Sequence, residues 1–108
     1  MHPAIETLLR EKAAEVSAAC RRFGVERLDL FGSAVTGDFD PASSDLDFLV
    51  EFDTDGRARA FDNYFGLKEQ LKSLLSLPVE LVTRRSLRNP ILIDEIERSR
   101  TPVYVTSP

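Results

Sequence analysis

The sequence predicts an α+β (mixed α/β) domain, a small mixed sheet covered by helices. Three observations lead there: apolar residues recur at three- and four-residue steps in long stretches, short β-branched runs lie between those stretches, and the two kinds alternate along the chain. No Pro/Gly/Ser-rich linker, repeat or low-complexity segment divides the 108 residues, so residues 1–108 are read as one domain with one core.

The first helix is carried by Ile5, Leu8, Leu9, Ala13, Val16, Ala19, Cys20 and Phe23, with charged residues mostly between them. Pro3 suits its start, and Gly24 stands where a left-handed cap favours glycine. Cys20 falls on the apolar face and reads as a small buried hydrophobe. His2, the single histidine, sits at the chain start and is read as disordered. VERLDLF gives a first strand over about 26–31, and AVTG is short enough for a single helical turn. A second strand runs from about Asp45 to Phe52 in DLDFLVEF, closed by the turn residues DTDG. Phe61, Tyr64, Phe65, Leu67, Leu71, Leu74 and Leu75 form the stripe of a second helix over 58–76, weakened by Gly66. PVELVT, 78–83, is a third strand; a last helix spans about Pro90 to Ser99 with Ile91, Leu92, Ile93 and Ile96 able to face inward, and TPVYV adds an edge strand.

The bulk properties exclude several classes of function. A formal charge of −4 offers no general attraction to phosphate backbones, so direct nucleic-acid binding is not expected. No apolar run is long enough for a signal segment or a membrane span, and a single cysteine permits neither an internal disulfide nor a cysteine zinc site. A cytoplasmic location fits best.

The chemistry concentrates in LFGSAVTGDFDPASSDLDFLV, residues 30–50. Residues two apart in a strand share a face, so Asp45 and Asp47 project together. At about 7 Å two like charges repel by roughly 0.6 kcal/mol in water and about 2.4 kcal/mol at an effective dielectric near 20. Either the pair is fully solvated or a cation neutralises it. An isolated DxD favours the solvated reading, but Gly32-Ser33 directly after a strand supplies an anion-binding turn nearby. A phosphate cradle beside two carboxylates suits a nucleoside triphosphate with magnesium, which takes oxygen ligands and shares them between protein and phosphates. Glu80 is the acidic residue inside the third strand and would join the pair if that strand lies beside the second. Arg84, Arg85 and Arg88 follow it, either to meet a triphosphate tail or an acidic partner or simply as a solvated turn.

Gly32-Ser33, then Asp45-Leu46-Asp47, then the carboxylate in Val79-Glu80-Leu81-Val82 resemble the polymerase-beta-type nucleotidyltransferase superfamily, in particular its minimal nucleotidyltransferase (MNT) members, and the likeness covers nearly the whole chain. The resemblance implies a polymerase-beta-like core forming a single minimal nucleotidyltransferase domain. It further implies that Gly32 and Ser33 bind the outer phosphates of ATP, that Asp45 and Asp47 hold Mg2+, with Mn2+ as an alternative, and that Glu80 helps bind metal and activates the acceptor hydroxyl. Many MNT proteins are antitoxins paired with a HEPN-domain toxin. The implied function is therefore transfer of a nucleotide, AMP from ATP, onto a hydroxyl of a HEPN toxin partner. Larger relatives add a helical domain that grips the acceptor, and a chain of this length is expected to rely on the partner, or on a second copy in a homodimer, to present it. The competing reading is an antitoxin that neutralises the toxin by binding alone, favoured by Glu80 where the family more often has aspartate and by Thr36 where it often has arginine.

Overall fold

A computed structural model describes residues 1–53 and 60–106. Helices α1 (Pro3–Glu11) and α2 (Ala13–Arg22) lead into strand β1 (Val25–Phe31); a single turn, α3 (Ser33–Thr36), precedes β2 (Leu46–Phe52). Then come α4 (Ala60–Leu75), β3 (Val79–Thr83), a 3-10 turn at Arg84–Ser86, α5 (Pro90–Ser99) and β4 (Thr101–Val105). The strands form one mixed sheet in the order β3-β2-β1-β4, with β1 antiparallel to both its neighbours and β2 parallel to β3. The expected α+β class and element order hold.

Alternation along the strands divides the core between two faces. Leu28 and Leu30 of β1, Leu46, Phe48 and Val50 of β2, and Leu81 of β3 are buried against α2 (Val16, Ala19, Cys20) and α4 (Leu67, Leu71, Leu75). On the other face Phe31 and Leu49 pack on Ile96 of α5, with Val82, Leu87 and Leu92 around them. Burial of Cys20 pushes its thiol up to about 12, against the opposing pull of Arg21, in keeping with an inert core residue. Among the described residues no helix is long and apolar enough to cross a membrane.

Four local expectations change. The first helix bends at Lys12 (φ −100°, ψ 10°) into α1 and α2. Its start is tied to α3, because His2 N–H donates to the Ala34 carbonyl at 2.7 Å, while Val16, Ala19 and Cys20 lie on the sheet. His2 is accordingly ordered: its Nδ1 accepts the N–H of Ala4 as an N-cap, and its ring stands edge-on to Phe39. Strand β2 begins at Leu46, leaving Asp45 just ahead of it; the expected start of the second helix at 58 and most of the DTDG turn lie outside the described residues. Gly66 is more than a weak point in α4: a Cβ there would collide with the Phe23 ring, so its absence lets α4 approach the end of α2.

Candidate functional site

The site grows from the meeting of three chain segments on the sheet face that α5 covers. In the ladder Phe31, the last residue of β1, pairs with Asp47 of β2, and Asp47 pairs in turn with Glu80 of β3. Parallel pairing puts Asp47 and Glu80 directly abreast, and residues abreast in a ladder point to one face. Asp45 lies exposed at the mouth of β2 and is close enough to Asp47 for their charges to interact.

Gly32 follows Phe31 immediately. Its φ of +76° and ψ of −148° belong to a region that glycine alone adopts without strain, and a Cβ on it would stand 2.6 Å from Asp47 Oδ2. The missing side chain therefore brings the Gly32-Ser33 turn into contact with the carboxylate. The carbonyl of Gly32 accepts from Val35 and Thr36, which winds α3, and Gly37 closes the turn at φ +94°. The N–H groups of Ser33 and Ala34 open that turn, where a helix has no acceptor of its own. The structure thus brings together Gly32, Ser33, Asp45, Asp47 and Glu80.

Electrostatics mark Asp47 as the centre. Burial pushes its carboxyl up to about 6, and the neighbouring charges of Asp45, Glu80 and Glu95 push in the same direction. None of these four acids takes part in an ion pair among the described residues. The donor set is wholly carboxylate oxygen, of the kind that suits Mg2+ or Mn2+, and a divalent ion would relieve the excess negative charge. Among the described residues no three acidic, histidine or cysteine side chains stand close enough to enclose an ion unaided.

Glu95 and Ser99, both on α5, have no counterpart in the sequence reading. Ser99 Oγ accepts the N–H of Gly32 at 3.2 Å and donates to the Glu95 carbonyl at 3.0 Å. A signal was available: Leu92, Ile96 and Ser99 recur at four and three residues, so the buried stripe of α5 carries a serine where it reaches the loop. The arginine cluster is placed elsewhere. Arg84 pairs with Glu97 at 3.5 Å and Arg88 donates to the carbonyls of Arg85 and Leu87, beyond the end of β3 remote from Glu80. A cleft of about 680 Å³ also lies at that end; its described lining includes Phe61, Tyr64, Arg84 and Arg85 together with the acids Glu26 and Glu51, but not Asp45, Asp47 or Glu80. What sets the carboxylate cluster apart from that cleft is the close approach of the Gly32 turn to a carboxylate, Asp47.

Comparison with known proteins agrees with this geometry. Residues 15–103 match the family model described as a nucleotidyltransferase domain. The chain is 37% identical over 76 residues to a Methanocaldococcus jannaschii protein described as a protein adenylyltransferase, MJ1379, covering 70% of this chain and 74% of the relative. It is 36% identical over 87 residues to the protein adenylyltransferase MntA of Thermococcus cleftensis, covering 81% of each. A solved structure described as a minimal nucleotidyltransferase superposes with a TM-score of 0.73 at 34% identity, covering 94% of this chain and 96% of that one. The fold is shared also with a chain from a solved complex of a tri-AMPylated Shewanella oneidensis HEPN toxin and an MNT antitoxin, with a TM-score of 0.58 at 19% identity, covering 91% of this chain and 73% of that one.

Proposed function

Because this chain belongs to the nucleotidyltransferase domain family, as a minimal nucleotidyltransferase, we propose that it transfers AMP from ATP onto a hydroxyl of a HEPN-domain toxin and so neutralises that toxin. The observation that carries the reading is the ladder contact of Asp47 with Glu80, with Gly32 packed against Asp47 Oδ2. A phosphate-binding turn and paired carboxylates at one point are what phosphoryl chemistry on a nucleotide requires.

In this reading Ser33 and the opening N–H groups of α3 bind the outer phosphates, and the small Gly32 lets them lie against Asp47. Asp45, Asp47 and Glu80 would hold Mg2+, which when bound supplies charge neutralisation at the phosphates and lowers the barrier to deprotonating the acceptor. The acceptor oxygen forms a bond to the α-phosphorus, the bond from that phosphorus to the bridging oxygen breaks, and pyrophosphate leaves. Glu80, exposed and beside Asp47, takes the hydroxyl proton. The curated relatives are named protein adenylyltransferases, and toxin–antitoxin complexes share the fold, which together support a protein acceptor of the HEPN class.

One observation favours a second reading, neutralisation by binding alone: no three candidate ligands among the described residues enclose an ion by themselves. Incubating the purified chain and a HEPN partner with α-labelled ATP and Mg2+ or Mn2+ separates the two. A metal-dependent labelled partner with the wild-type chain, absent with Asp45→Asn/Asp47→Asn, is the expected result. A partner that is captured and inhibited but never labelled would overturn the enzymatic reading and leave the binding one.

A further inference from the structure

We infer that Ser99, at the end of α5, is a positioning residue for the Gly32-Ser33 turn, and that nucleotide affinity depends on its hydroxyl; this rests on the nucleotidyl-transfer reading above. Ser99 is only 8% exposed, and Ser99 and Asp29 are the buried polar residues of the described structure. Its Oγ is used in both senses, accepting from Gly32 N–H at 3.2 Å and donating to the Glu95 carbonyl at 3.0 Å. Donation to its own helix fixes the hydroxyl hydrogen, which leaves a lone pair aimed at Gly32.

The anchor is itself tied to β1. Arg100, the next residue, donates from Nη2 and Nε to Asp29 Oδ2 at 2.7 and 3.0 Å, and Arg27 Nε bonds the same carboxylate at 3.1 and 3.0 Å. Asp29 lies on β1 shortly before Gly32, so a buried ion pair and a buried hydrogen bond join α5 to the same end of β1. Gly32 needs such a hold. Its positive φ is open to glycine in many alternatives, and a conformation of this kind persists only where its surroundings determine it. The carbonyl of Gly32 is fixed by Val35 and Thr36, and its N–H is fixed by Ser99. The Gly32 amide is thereby spent inside the protein. Its contribution to nucleotide binding is to set the plane from which Ser33 and Ala34 present their groups.

Equilibrium dialysis of labelled ATP against the purified full chain, with Mg2+ and no acceptor, tests this. Circular dichroism and unfolding midpoints identify the folded fraction of each variant. Ser99→Ala is expected to bind ATP about tenfold more weakly in its folded fraction, the size expected of one buried hydrogen bond. Ser99→Thr and Ser99→Val share a shape and differ in the hydroxyl, so Thr should stay within about twofold of wild type while Val falls by about tenfold. Equal affinities for the Thr and Val variants, or wild-type affinity in Ser99→Ala, would overturn the inference and leave the nucleotidyl-transfer reading standing. Failure of the wild-type chain to bind ATP at all would overturn both.

Discussion

Replacing Asp47 by asparagine removes a charge that the fold holds at a cost, so the variant should be more stable than wild type when no metal is present. Burial, then Asp45, Glu80 and Glu95, move the Asp47 carboxyl from 3.8 to about 6. At 1.36 kcal/mol per unit the shift amounts to about 3 kcal/mol, and partial exposure of the side chain screens this to about 1–2 kcal/mol. Between pH 3.8 and about 6 the folded protein keeps a proton on Asp47 that the unfolded chain has released, so stability contributed by this group falls as pH rises through that window and is fully lost above it. Asparagine stays neutral throughout. Thermal unfolding in EDTA at pH 4, 5, 6, 7 and 8 should show Asp47→Asn ahead of wild type at pH 7–8, by about 4–8 °C per kcal/mol, with the gap closing toward pH 4. If Asp47 holds the ion as proposed, magnesium should then narrow the gap at pH 8 by stabilising the wild type more than the variant. A variant no more stable than wild type at pH 8, or an advantage unchanged at pH 4, would refute the electrostatic account of the site.

Gly32→Ala places a methyl group 2.6 Å from Asp47 Oδ2 at a φ of +76°; a loss of about 1–3 kcal/mol in urea unfolding and disappearance of AMP transfer are expected, and wild-type behaviour in both would contradict the packing described. Arg100→Ala leaves the buried Asp29 with Arg27 alone and should cost about 3 kcal/mol, again read from urea midpoints; a loss below about 0.5 kcal/mol would mean the pair is dispensable. Cys20, buried and with its thiol raised to about 12, should resist iodoacetamide at pH 8 in the native protein and react once the chain is unfolded; fast native labelling would show that the core opens there.

The elements were legible where periodicity and chemistry coincide. Leu67, Leu71 and Leu75 repeat every four residues and are buried in α4, and the Gly32-Ser33, Asp45-Leu46-Asp47 and Glu80 spacing was readable because each residue type is unusual for its local structure. What escaped depended on partners distant in sequence. The tie of His2 to Ala34 and the need for Gly66 beside the Phe23 ring are both contacts that leave no local pattern. Nothing local in VERLDLF marks Asp29 as buried, yet it is fully buried and paired with Arg100, one residue past α5. Glu95 was not singled out, because only the docking of α5 on the sheet brings its charge near Asp47.

The parallel pairing of β2 with β3 bears on how the molecule comes into being. Antiparallel β1 and β2 are consecutive strands joined through residues 32–45, and their pairing sets Gly32 against Asp47. Glu80 arrives beside Asp47 only after α4 has crossed the sheet, and the Ser99 anchor comes later still in the chain. Closing those longer loops is the slower event in folding. Asp45 and Asp47 thus come from one local segment, whereas Glu80 and Ser99 reach them only through long-range contacts, so the candidate site as a whole is a property of the finished domain.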